Sequence, residues 1–215
     1  MIEEEILNDC KKRFASHKAT LIQDTDRYLI FDWRKADGSI DHYVNYILDK
    51  KRGNLIISGD LGDCVATWYN AVSPKEMKSY LKDIYYFISK FQCSTDKYVY
   101  DPDNAYEGIK YQLKNYMELE TNELLEACKK HLWYSADTEE ELWEAVKSDI
   151  DENWYSDTKP HYSTDMMNFL GELDSEYYEW LYDCGKRVNM RVYLWAVGYE
   201  MAYTQLELQG GRTNE

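Results

Sequence analysis

The sequence predicts an α+β protein, with an antiparallel sheet of four to five strands at about residues 19–69, packed by helices and followed by a mostly helical, acidic C-terminal half. Three observations carry that expectation. Short alternating apolar runs separated by Gly-containing turns fill residues 19–69. From residue 74 onward the apolar spacing changes to three and four, the helical period. Charge is also segregated along the chain. Residues 1–100 hold 15 acidic and 15 basic side chains, whereas residues 101–183 hold 22 and 6, so the net charge of −15 belongs to the second half.

Ile6, Leu7, Cys10 and Phe14 stand at helical spacing, which predicts a short amphipathic helix over residues 3–16. Strands are expected at Thr20–Ile22, Tyr28–Trp33, His42–Leu48, Asn54–Ser58 and Cys64–Trp68. Turns at Asp37-Gly38 and Lys51-Arg52-Gly53 permit positive φ and make the sheet a meander. Ser73-Pro74-Lys75-Glu76 is a helix start, with a capping Ser, Pro at the first position and Glu three residues on. The apolar stripe that follows, Met77 to Phe91, predicts a helix at 74–92 lying across the sheet.

After an extended piece at Lys97–Tyr100, Asp101-Pro102 starts a helix through Tyr116, Thr121 caps one running to about Trp133, and Thr138 with Glu141 forms a second capping box. Met166 to Val188 keeps helical spacing, with Gly185 as terminator. Arg191–Leu208 is apolar on most sides and reads as a buried helix, with a strand at Val192–Val197 as the competing reading. The expected organisation is 1–100 for the first helix, sheet and covering helix, 101–208 for an acidic helical region sharing the same core, and 209–215 for a tail.

Composition narrows the function classes. The 21 Tyr and 7 Trp against 3 Pro exclude a disordered or Pro-rich chain. No apolar run approaches the roughly 18 residues of a membrane span, and the acidic start lacks the order of a signal peptide, so a cytoplasmic protein is expected. Five scattered cysteines, Cys10, Cys64, Cys93, Cys128 and Cys184, form no CxxC pair and are expected to be buried thiols.

Catalytic motifs do not reach the spacing their chemistry needs. Gly59-Asp60-Leu61-Gly62-Asp63 is similar to one element of dinuclear metallophosphoesterases, which makes a metal-dependent hydrolase using Asp60 and Asp63 the enzymatic alternative. The partner motifs, Asp-x-His upstream and Gly-Asn-His downstream, do not occur, and a turn explains the glycines more simply. His17, His42, His131 and His161 make no HExxH or HxH pair. Asp101/Asp103 and Asp149/Asp151 begin like calcium loops but lack the Gly at position six and the Glu at position twelve. No enzyme activity, no cofactor and no metal are therefore expected.

Leu55-Ile-Ile-Ser-Gly-Asp-Leu-Gly-Asp-Cys-Val-Ala-Thr-Trp68, with Tyr28-Leu-Ile-Phe-Asp-Trp33 before it, resembles the sheet of uncharacterised phage and prophage accessory proteins. Arg191-Val-Tyr-Leu-Trp-Ala-Val-Gly-Tyr-Glu-Met-Ala-Tyr203 is similar to their C-terminal helix. The resemblance covers about a third of the chain and carries over no catalytic residue. It implies a mobile element in a bacterial host and, by association, interference with a host defence system of the CRISPR or restriction type.

The acidity fits such a trade, because a negative field attracts basic, nucleic-acid-processing proteins and repels nucleic acid itself. The candidate contact residues are Glu139, Glu140, Glu144, Asp149, Asp151, Glu152 and Asp157, clustered around one predicted helix and its exit, with Trp143 and Trp154 as anchors. The competing readings are core packing for both tryptophans, a solvated face for the carboxylates, and a phage structural or self-associating module.

Overall fold

The computed structural model describes residues 2–132 and 136–210. Trp133, Tyr134 and residues 211–215 of the expected tail lie outside the described residues. The elements in chain order are α1 (Glu4–Arg13), β1 (His17–Asp24), β2 (Tyr28–Lys35), β3 (Val44–Asp49), β4 (Asn54–Gly59), β5 (Cys64–Thr67), α2 (Pro74–Tyr80), α3 (Ile84–Ser89) and β6 (Phe91–Ser94). There follow β7 (Tyr98–Tyr100), α4 (Pro102–Tyr111) with a π-helical extension Gln112–Tyr116, α5 (Thr121–His131), α6 (Glu139–Asn153), α7 (Thr164–Leu173), α8 (Tyr178–Leu181), β8 (Lys186–Val188) and α9 (Met190–Gly210). The class is α+β. The chain forms two units, residues 2–97 with 189–210, and residues 98–188.

The first unit is built on a six-stranded sheet in the order β1-β2-β3-β4-β5-β6, every neighbouring pair antiparallel. Strict alternation turns Leu29, Phe31 and Trp33 of β2, Val44, Tyr46 and Leu48 of β3, and Leu55 and Ile57 of β4 to one buried face. On that face α9 packs against β1, β2 and β3, while α1, α2 and α3 pack against α9. This explains why α9 is apolar around most of its circumference: it has the sheet on one side and helices on others. Gly198 marks the closest approach. A Cβ there would stand 2.5 Å from Tyr46 Oη and 3.2 Å from Phe14, and Tyr46 Oη donates to the Trp195 carbonyl at 2.8 Å.

Several expectations are corrected here. Residues 74–92 form two helices rather than one, because Asp83 accepts the Tyr86 N–H and starts α3 afresh. The chain then turns into a sixth strand, β6, which pairs with β5. The element that crosses β1, β2 and β3 is α9, more than a hundred residues later in the chain. The exposed edge of β1 is blunted twice: a bulge shifts the register between Leu21 and Gln23, and the Gln205 side chain takes the Ala19 N–H.

The second unit has a core of its own, which includes Leu113, Leu124, Leu142, Val146, Ile150, Phe169 and Leu170. The last helix thus belongs with the sheet and not with the acidic region. Strands β7 and β8 close the unit as a two-stranded antiparallel ribbon. The expected helix over 166–188 is broken into α7, α8 and β8, with Asp174 extended after α7. The last helical piece already ends at Leu181, capped by Tyr182, and Gly185, at φ +79°, instead turns the chain into β8; a Cβ there would meet Asp101 O and Ala105 Cβ at 2.9 Å.

Candidate functional site

The predicted contact residues sit on α6 and its exit, and the structure divides them into exposed and structural groups. Thr138 Oγ1 accepts the Glu141 N–H at 3.2 Å while the Glu141 carboxylate accepts the Thr138 N–H, so the predicted capping box starts the helix. From there Leu142, Trp143, Ala145, Val146 and Ile150 face the core. Glu140, Glu144, Lys147 and Asp151 fall on the opposite face at spacings of four and three. Glu140, Glu144, Asp151, Glu152 and Asp157 are exposed. Lys147 interrupts the row, bonding Asp103 and lying 3.8 Å from Asp151.

Glu139 and Asp149 serve the fold. Trp143 Nε1–H and the Thr121 hydroxyl donate to Glu139, and Lys114 lies 3.3 Å away; together they hold its carboxyl below the usual range. Asp149 accepts the Ser163 hydroxyl at 2.7 and 2.9 Å, and Ser163 Oγ in turn caps α7 by accepting the Met166 N–H. Half-burial pushes the Asp149 carboxyl above its ordinary value despite that bond.

The tryptophans are not surface anchors. Trp143 is 5% exposed and belongs to the core, with Tyr106 edge-on to its ring. Trp154 is half-buried against the same core and meets Tyr162 edge-on at 5.9 Å. The exposed aromatics of this unit, among the described residues, are tyrosines instead: Tyr155 at 75%, Tyr116 at 72%, Tyr111 at 61%, Tyr178 at 57% and Tyr182 at 49%. Tyr155 is the one beside the carboxylates, between Glu152 and Asp157 in sequence, and its ring lies 4.1 Å from His161. Its outward position is set by the tertiary structure: the backbone leaves α6 in extended form at Trp154, ψ 106°, which points successive side chains to opposite sides, so a half-buried Trp154 leaves Tyr155 outward.

Residues 98–188 carry 22 acidic against 8 basic side chains, a net of −14 out of the −15 of the whole chain. The first unit is close to neutral by comparison.

The enzymatic alternative gains nothing from the geometry. Asp60 accepts the His42 N–H at 2.9 Å, the Gly62 N–H bonds the Gly59 carbonyl, and the Asp63 N–H bonds Thr95 Oγ1. These bonds make a capped turn. Among the described residues no three His, Cys, Asp or Glu side chains are gathered to hold a metal ion. Cys10 and Cys64 are buried as expected, and burial pushes their thiols up to about 11 and about 12. Cys93 departs from the expectation and is exposed, because β6 turns it to the open face of the sheet.

The first unit also contains a groove of about 660 Å³ whose lining includes Leu7, Phe14, His17, Trp33 and Met201. His17 Nδ1 and Trp33 Nε1 lack hydrogen-bond partners but are closed off from solvent, so neither is available to a molecule in the groove without side-chain movement. Among the described residues no helix is long and apolar enough to cross a membrane.

No known family model, curated protein or solved structure matches this chain.

Proposed function

We propose that this protein is a non-catalytic binding protein of a phage or other mobile element, whose acidic unit occupies the basic surface of a nucleic-acid-processing host defence protein in the host cytoplasm. The observation that carries the reading is the concentration of charge: a net of −14 on residues 98–188, with Glu140, Glu144, Asp151, Glu152 and Asp157 exposed around one helix. Such a surface speeds encounter with a cationic groove and competes with the phosphates that the groove normally holds. Tyr155 supplies an amphipathic aromatic beside the carboxylates, the residue type that interfaces favour for anchoring contacts. The phage or mobile-element provenance rests on the sequence resemblance of residues 28–33, 55–68 and 191–203 to phage accessory proteins.

The test is a pulldown from host lysate at two salt concentrations with competing duplex DNA in one arm. A partner held by this surface is released as salt rises from about 0.1 to 0.5 M, where the screening length falls well below 10 Å, and by the competing DNA. Reversal of Glu140, Glu144 and Glu152 to Lys slows association while leaving the fold intact, since exposed substitutions change stability by only about 0.5 kcal/mol. A captured partner that survives high salt, DNA and the triple reversal would falsify the reading.

A further inference from the structure

The face of the sheet turned away from α9 is not uniformly polar. Ile30, Ile47, Ile56, Val65 and Cys93 are direct register partners on five successive strands, Ile30 with Ile47, Ile47 with Ile56, Ile56 with Val65, and Val65 with Cys93. They make one apolar stripe across the sheet. Ile56 at its centre is 39% exposed and Cys93 at its end is exposed. Polar rows flank the stripe and are satisfied within themselves: Asp32 accepts from Tyr43 Oη and Asn45 Nδ2 on one side, and Asn54 accepts from Thr67 Oγ1 on the other.

The two ends of the strands also differ in charge. The turns at 24–28 and 49–53 hold Arg27, Lys50, Lys51 and Arg52 against Asp24, Asp26 and Asp49, a net of +1. The loops at 35–43 and 60–63 hold Asp37, Asp41, Asp60 and Asp63 against Lys35, a net of −3; Lys35 bonds one of these, Asp41. We infer that this face pairs with the same face of a second copy, about a two-fold axis that runs along the stripe.

A two-fold that stacks a sheet face on itself lies in the plane between the sheets, and two directions are open to it. An axis parallel to the strands would set the cationic turns over their own copies. An axis along the stripe sets the cationic end of each sheet over the anionic loops of the other and lays Ile30, Ile47, Ile56, Val65 and Cys93 over themselves. Charge selects the second. The area sets the strength. Five strands at about 4.8 Å and three rows of side chains cover about 24 by 20 Å, or roughly 500 Å² per copy. The total is then about 1,000 Å², the lower limit for a specific interface. The dimer is therefore weak and exchanges rapidly, with dissociation on the order of 100 μM, and an apolar face of this size can stay uncovered in dilute solution.

The experiment follows the full chain by sedimentation and by isoleucine methyl NMR from about 10 μM to 1 mM, a range that brackets the expected affinity. The expected result is a monomer that becomes a dimer, with shifts at Ile30, Ile47 and Ile56. Ile56→Lys, at a position open enough to leave the fold intact, weakens the dimer at least about tenfold, and Ile47→Thr weakens it by a methyl-sized increment. Arg52→Glu weakens it and Asp63→Lys added to Arg52→Glu restores it. Facing sheets lie about 10 Å apart, so a short bismaleimide links Cys93 to its symmetry mate, and the link is lost in both Cys93→Ser and Ile56→Lys. A monomer throughout the range, a cross-link that persists in Ile56→Lys, methyl shifts confined to Ile22, or binding of the monomer to lipid vesicles through this face would each overturn the pairing. None of these outcomes depends on the acidic unit, whose reversal at Glu140, Glu144 and Glu152 leaves dimerisation unchanged.

Discussion

Gly198→Ala probes the closest contact in the sheet unit, where α9 rests on β3. Taken alone, Ala in a helix interior is favoured over Gly by about 1 kcal/mol. The added Cβ would stand 2.5 Å from Tyr46 Oη. A flexible side chain would yield, but Tyr46 is fully buried, with Phe31 stacked at a ring-centroid distance of 5.0 Å and Tyr199 edge-on at 5.5 Å. Burial also pushes the Tyr46 phenol well above its ordinary value, so it remains a neutral donor to the Trp195 carbonyl. Overpacking costs about 1–3 kcal/mol and the lost hydrogen bond about 1 more, so the net effect is a destabilisation of about 1–3 kcal/mol.

In a Tyr46→Phe background the obstructing oxygen is gone and the nearest atoms become the Phe14 ring carbons at 3.2 and 3.3 Å. There the same substitution should be neutral within about 1 kcal/mol, a coupling of about 1–3 kcal/mol in a double-mutant cycle. Two units make global unfolding a poor assay. Hydrogen exchange of peptides from β2 and β3 reports the sheet unit directly, and Gly198→Ala should speed it roughly tenfold to a hundredfold in the wild-type background, at tenfold per 1.4 kcal/mol. Equal acceleration in both backgrounds would refute the claim that the Tyr46 hydroxyl sets the helix-to-sheet distance.

Two further outcomes separate structural from surface residues in the acidic unit. Trp143→Ala, which empties a core position, should destabilise that unit by about 3–5 kcal/mol, whereas Glu144→Lys one residue away should change stability by about 0.5 kcal/mol or less; hydrogen exchange of α5 and α7 peptides in the two variants checks the contrast. Asp149 gives a pH signature. Its folded pKa is raised, so the native state binds the proton more tightly than the unfolded chain, and its contribution is fully present below the unfolded carboxylate value, about 4, and lost as pH rises through the folded value. Asp149→Asn, which can still accept from Ser163, should lose less stability than wild type as pH rises above about 4, read as opening free energies from hydrogen exchange of α6 and α7 peptides; identical pH slopes would show that the half-buried carboxylate is not penalised.

Local rules alone made much of this protein legible. The capping signals at Ser73 and Thr138 and the meander over the first strands act between residues a few positions apart, and their geometry follows from backbone hydrogen bonding and side-chain period. The segregation of charge needed only counting. What lay beyond the sequence were decisions made by distant partners. Trp143 and Glu144 are adjacent on one helix, and only the packing of α6 against its own core sends the first inward and leaves the second outside. Glu139 and Asp149 read as free carboxylates until Trp143, Thr121 and Ser163 are brought to them. Residues 74–92 keep one apolar stripe, yet the Asp83 cap divides them and β5 recruits Phe91 into a sixth strand. The apolar character of residues 191–208 announced burial without naming what covers them. Strands β1, β2 and β3 cover one side and α1, α2 and α3 others, and Gly198 lets the helix approach Tyr46 so closely.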